Sequence, residues 1–200
     1  MSHQRIGLVL AGGQGQRFGG ADKGLQLFQG QAMAITMLRR LEPFCNKLVL
    51  NCRVRSQLEY ATRIEEQSWS VPCQIAPNHD TDFLGPLAGI CASRPFLNAE
   101  CLLVPCDMPT LPIKTLETLC RQGLLYPEAD ALYIQHQGIV EPLISLLRPA
   151  ALNYIVSAFQ DGERSMRRLL FQLACVAVDV PEAGLCNLND PQMIQINEWH

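Results

Sequence analysis

The chain has 200 residues, 48% of them hydrophobic and 18% charged, with a formal net charge of -3. That length predicts a single folding unit over residues 1–200, and the composition excludes a disordered or fibrous chain. The mild acidity excludes a general attraction to nucleic acid or to an anionic membrane, so neither is expected as a partner and any anionic ligand must be held by local groups.

The first predicted element is a strand, because Ile6-Gly-Leu-Val-Leu10 is a short apolar run ended by glycines. Met33, Met37, Leu38 and Leu41 then recur at helical spacing, and Pro43 closes that pattern before the strand-like run Lys47–Asn51. A polar helix over 56–67, a strand over 73–76, a helix after Gly85 and a strand over 101–104 follow. This alternation predicts a three-layer α/β/α domain with a mostly parallel, Rossmann-like sheet. Further on, a helix is expected over 111–122 and strands over 131–135 and 142–147, joined by a turn at Gln137-Gly138 that adds an antiparallel edge. Helices over 150–159 and 166–173, a strand over 176–180 and a final helix from Pro191 complete the series.

No apolar run approaches the roughly 18 residues of a membrane span, and Met1–Arg5 leads into the first strand without a signal-peptide pattern. The nine cysteines are odd in number and include no CxxC pair, which predicts buried free thiols in a reducing cytoplasm. Cys73 and His79 lie near each other but match no closed zinc motif.

In parallel α/β sheets ligands bind beyond the carboxyl ends of the strands, so the residues after each apolar run carry the functional information. The segment Leu10-Ala-Gly-Gly-Gln-Gly-Gln-Arg-Phe-Gly-Gly-Ala-Asp-Lys-Gly-Leu25 packs six glycines around Arg17 and Lys23. Glycines let successive N–H groups approach phosphate oxygens, and two cations offset a triphosphate's charge. The dinucleotide fingerprint fails because Phe18 stands where its third glycine belongs. The Walker A pattern fails because Gly24, not Ser or Thr, follows Lys23.

The second feature is Leu102-Leu-Val-Pro-Cys-Asp-Met-Pro-Thr-Leu-Pro112, a strand that delivers Asp107 to its carboxyl end. One aspartate opposite a triphosphate suffices for magnesium, whose octahedron is completed by phosphates and water. The same Asp is equally suited to cap the helix that follows.

The pattern LAGGxxxRxGGxDKGL in residues 10–25 resembles the signature of the molybdenum cofactor guanylyltransferase family, within the glycosyltransferase-like nucleotidyltransferases, with Phe18 in place of the more usual Met. The resemblance implies that Leu10, Ala11, Gly12 and Gly13 wrap the guanine nucleotide and that Arg17 and Lys23 contact its phosphates. It also implies that Asp107, in a PCDxP match, is the Mg2+ ligand. Related cytidylyltransferases begin LAAG, so Gly12 favours guanine. Asn51 resembles the family's asparagine near the nucleotide, with Arg53 beside it, and residues 85–89 match its GPLAG loop. Gly162-Glu-Arg164 resembles a segment that meets the pterin phosphate, and Asn187-Leu-Asn-Asp-Pro191 resembles an element closing the site, which brings in Arg164, Asn187 and Asn189.

Two departures stand out. Asn78 replaces an aspartate that the family commonly uses to recognise the base, and a neutral amide cannot accept two bonds from guanine as a carboxylate does. Asp80 and Asp82 are nearby substitutes. Glu141 stands where the family often has histidine before proline, and its favoured reading is an exposed charge on an edge strand rather than a catalytic base.

The function implied is transfer of GMP from GTP to the terminal phosphate of molybdopterin, with pyrophosphate leaving, and catalysis resting on positioning and electrostatics. The resemblance further implies delivery of the product to molybdoenzymes through cofactor-handling proteins. The rival readings are a cytidylyltransferase using CTP and a GTP-binding module without chemistry. A sugar-1-phosphate transferase is disfavoured by the absence of Thr and Pro before Lys23, and a dehydrogenase by Phe18.

Overall fold

A computed structural model describes residues 4–13, 22–78 and 85–181 of the protein. β1 (Arg5–Leu10) is buried at every position and pairs in parallel with β4 (Lys47–Arg53) on one side and β6 (Glu100–Pro105) on the other. Burial on both faces explains why these strands read as continuous apolar runs rather than alternating ones. Each Leu or Val so enclosed contributes roughly 1.5–3 kcal/mol. β5 (Cys73–Asn78) adds to β4, again in parallel, and forms one rim.

The strand order is β5-β4-β1-β6-β8-β7-β9, with β7 (Ala131–His136), β8 (Ile139–Leu147) and β9 (Cys175–Asp179) at the far end. β8 alone runs against its neighbours, pairing antiparallel with β6 and β7, and β9 returns parallel to β7. The antiparallel strand therefore lies inside the sheet, and β9 forms the rim there.

One face is covered by α1 (Met33–Leu41), α2 (Gln57–Glu65) and α4 (Ile113–Leu125), whose Leu38, Leu41, Tyr60, Leu116 and Leu119 share a core with Val9, Leu50 and Val104. The other is covered by α3 (Pro86–Ser93), α5 (Pro149–Gln160) and α6 (Met166–Leu170), packed on Leu8, Leu10, Val49 and Leu103. This is the three-layer α/β/α arrangement expected. Among the described residues no helix is long and apolar enough to cross a membrane. All eight described cysteines are free thiols.

Most elements stand where the sequence placed them, with differences at their ends. α6 stops at Leu170, three residues early, because the Gln172 N–H bonds back to Leu169 C=O and tightens the last turn before β9. A two-residue ladder, β2 (Leu27–Phe28) with β3 (Gln31–Ala32), was not expected, because its turn sets Gln29 at φ 50°, an unusual angle for a residue with a side chain. The helix expected from Pro191 lies outside the described residues.

Candidate active site

The parallel strands deliver their carboxyl ends to one edge of the sheet, and the backbone ties those ends together. Ala11 N–H donates to Asn51 C=O at 2.8 Å, and Cys106 N–H donates to Leu10 C=O at 3.0 Å. The cleft above this edge has a volume of about 240 Å³. Its wall includes Leu10, Gly12, Gly13, Lys23, Asn51, Asn78 and Asp107, seven residues that the sequence had already singled out. Gly85, Pro86 and Gly89, from the segment that begins α3, also line it.

Lys23 follows Asp22 at the start of a short 3-10 turn, Lys23–Leu25, and its Nζ lies 2.5 Å from Asp107 Oδ2. Both side chains are mostly enclosed, 15% and 18% exposed. The other carboxylate oxygen, Asp107 Oδ1, is buried with no hydrogen-bond partner. The capping alternative for Asp107 is not met: α4 begins at Ile113 with Pro112 at its cap and no side-chain cap bond. An unpartnered anionic oxygen in a cleft beside a lysine is suited to a cation that arrives with phosphates. Among the described residues no group of three or more His, Cys, Asp or Glu could hold a metal alone, so such a cation would need oxygen ligands from the nucleotide and water.

Asn51 is almost wholly buried, and its Nδ2 donates to Ala76 C=O at 3.0 Å. That bond turns Oδ1 toward Gly12 and Gly89. A Cβ at Gly89 would stand 2.5 Å from this oxygen, so only glycine fits there. Asn78 Nδ2 lies on the same side of Gly12, 3.8 Å from where a Cβ would project. The cleft is thus lined both by neutral amides with bare backbone and by the Lys23–Asp107 pair.

Several side chains stand elsewhere than the sequence suggested. Ala11 does not line the cleft; its methyl belongs to the core packed against α1, because strand alternation turns it away from the neighbouring Leu10 side. Arg53 clamps the glycine loop, its guanidinium donating to Gly12 C=O and Gly13 C=O. The Arg164 guanidinium folds back onto its own helix end, 4.2 Å from the Phe159 ring centroid and donating to Phe159 C=O, while its carbonyl lies next to Gly85. Arg17, Asp80, Asp82, Asn187 and Asn189 lie outside the described residues.

Glu141 differs most from its sequence reading. β8 is an interior strand, and its pairing with β6 sets Leu103 opposite Ser145 and Cys101 opposite Leu147. Burial, and next the negative charge of Asp107, push the Glu141 carboxyl above its ordinary range. The side chain is half-buried near Asp107, beside the register shift between Tyr133 and Ile134. Leu143, two residues on, also lines the cleft. Leu143 had no sequence signal, and Glu141 was marked only as a departure from the family pattern, since the register of an antiparallel pair is set by strands distant in the chain.

A glycine-rich loop, a lysine and a metal-suited aspartate at the carboxyl edge of a parallel sheet define a nucleotide-binding α/β protein of the phosphate-transferring class. The family model described as "MobA-like NTP transferase domain" matches residues 7–177, and the chain belongs to that family of nucleotidyltransferases. It is 37% identical over 193 residues to the molybdenum cofactor guanylyltransferase of Pseudomonas syringae pv. syringae, covering 94% of this chain and 90% of that protein. The enzyme of the same name from Pseudomonas fluorescens is 34% identical over 194 residues, with the same coverage. Among solved structures, molybdopterin-guanine dinucleotide biosynthesis protein A from Archaeoglobus fulgidus superposes with a TM-score of 0.74 at 24% identity, covering 97% of both chains.

Proposed function

We propose that this protein transfers GMP from GTP to the terminal phosphate of molybdopterin, releasing pyrophosphate and forming molybdopterin guanine dinucleotide. The observation that carries the reading is the Lys23–Asp107 pair, with its unpartnered Oδ1, in a cleft also lined by the neutral amides of Asn51 and Asn78. The names borne by relatives at 34–37% identity supply the substrates.

In this reading the triphosphate lies toward Lys23 and Asp107, and the nucleoside toward Asn51, Asn78 and Gly89. Backbone at Leu10, Ala11, Gly12 and Gly13 wraps the nucleotide. Lys23 and Arg17 offset the charge that grows on the phosphates as the bond to the α-phosphorus changes hands. Asp107, through its unpartnered Oδ1, is the residue that would hold Mg2+, which would supply positive charge to offset that of the phosphates. A terminal phosphate oxygen of the acceptor attacks the α-phosphorus in line; the new P–O bond forms as the bond to the β-phosphate bridge breaks. The acceptor is already ionised near neutral pH, so no protein base has to remove a proton, and Glu141 is not assigned that role. Arg164, Asn187 and Asn189 are assigned to the pterin substrate on the family resemblance of their segments.

Pyrophosphate release measured with GTP and with CTP, each with Mg2+ and molybdopterin, tests the reading. Release from GTP that depends on the acceptor is the expected result. A preference for CTP would move the protein to the sister reaction, and GTP binding without release would make it a nucleotide-binding module.

A further inference from the structure

Outside the cleft wall, one buried polar contact has no evident part in folding. Tyr60, on α2, is fully enclosed, yet its hydroxyl is not left among apolar neighbours: it donates to Asp22 Oδ1 at 2.7 Å. The same oxygen accepts from Gly24 N–H at 3.0 Å, while Asp22 Oδ2 is buried with no partner. Burial, and next the negative charge of Asp22, hold the Tyr60 hydroxyl well above its ordinary range, so its oxygen is a donor throughout the working pH range. A carboxylate and a phenol inside a core cost stability that an apolar pair would not.

Their position suggests why they are there. Asp22 and Gly24 bracket Lys23. The Leu25 N–H donates to Asp22 C=O and the Gln26 N–H to Lys23 C=O, each at 3.2 Å, so the turn is held from both sides. Gly24 packs directly beneath the Tyr60 oxygen, where any Cβ would collide with it. The backbone that carries Lys23 is thus pinned to α2, an element that contributes no residue to the cleft wall.

We propose that Tyr60 is a positioning residue for the transfer reaction: acting through Asp22, its hydroxyl fixes the backbone of residues 22–24 and so sets where the Lys23 ammonium stands relative to Asp107. The inference rests on the guanylyl-transfer reading for its consequence in rate, but not for its consequence in structure.

The chain has three lysines, Lys23, Lys47 and Lys114, so reductive 13C-methylation yields few NMR signals. Lys23→Arg assigns the one belonging to Lys23. In the full chain, Tyr60→Phe keeps the ring and removes the hydroxyl, and it is expected to shift the Lys23 signal while leaving the other two in place. In turnover it should lower kcat about tenfold with the GTP KM changed less than about threefold, the pattern of a misplaced transition-state contact. In a Lys23→Ala background the same substitution should cost nothing further.

An unmoved Lys23 signal would overturn the proposal, and so would a kcat loss that adds fully to that of Lys23→Ala. A lowered Tm with unchanged kcat would reduce Tyr60 to a packing residue and equally overturn it. If Tyr60→Phe does not fold, Asp22→Ala takes its place in the same three measurements with the same expectations. A wild-type protein without turnover whose Lys23 signal still responds to Tyr60→Phe would count against guanylyl transfer and not against the positioning.

Discussion

Two clusters of buried charge stand at opposite ends of the same strands. At the amino ends, Glu100 accepts from Arg5 at 2.7 Å and from Arg148, and the guanidiniums donate further to Phe44 C=O and Gly123 C=O. Apart from Arg148 Nε, every polar side-chain atom of this cluster has a partner or reaches solvent. At the carboxyl ends, Lys23 meets Asp107, yet Asp107 Oδ1 and Asp22 Oδ2 are buried and unpartnered. A closed network holds a fold together. An open one keeps binding capacity for something that arrives from outside, and an orphaned buried oxygen has a folding cost of about 1–3 kcal/mol.

The contrast is broken most severely by Glu100→Gln. It leaves two enclosed guanidiniums facing each other, and stability should fall by about 3–5 kcal/mol, as expected when a buried ion pair loses one member. Urea unfolding measures this, and kcat measured well below the lowered Tm should be unchanged. Lys23→Ala acts at the other end: the barrier to transfer should rise by about 2–4 kcal/mol, read from kcat/KM measured well below the variant's Tm.

Glu141→Gln sharpens the comparison at smaller scale. The folded-state carboxyl is raised, so the fold prefers the neutral form. Its contribution is fully present below the unfolded-state pKa and lost as pH rises through the folded one. In metal-free protein the glutamine should therefore be more stable than wild type at pH 7, by an amount that solvent screening keeps small. The gain should vanish near pH 4. A gain independent of pH would mean that packing, not charge, distinguishes the two side chains.

The sequence made the open end more legible than the closed one. Strands buried on both faces announce themselves as apolar runs, and in a parallel sheet the residues just past such runs must meet. Asp107 was therefore found from its strand end, while Asn51 and Asn78 were marked by the family resemblance. What stayed hidden depends on contacts between distant segments. Tyr60 meets Asp22 across 38 residues, and Arg5 meets Glu100 across 95, with no local pattern marking either pair. Glu141 looked like a rim charge because a hairpin's place within a sheet is decided by its partners. Ala11 and Arg164 lie in the segments expected, but their side chains turn away, a matter of pleat and rotamer that the sequence does not encode locally.

The most direct test of the open network is Asp107→Ala, followed at once by acceptor-dependent pyrophosphate release from GTP with Mg2+ and by thermal unfolding without ligands. Turnover should fall by at least about 1,000-fold, roughly 4 kcal/mol in the barrier, while Tm stays within about 3 °C because the lost carboxylate had an oxygen without a partner. Near-wild-type turnover with Mg2+ would contradict the account, since the unpartnered oxygen of Asp107 would then have no part in the reaction.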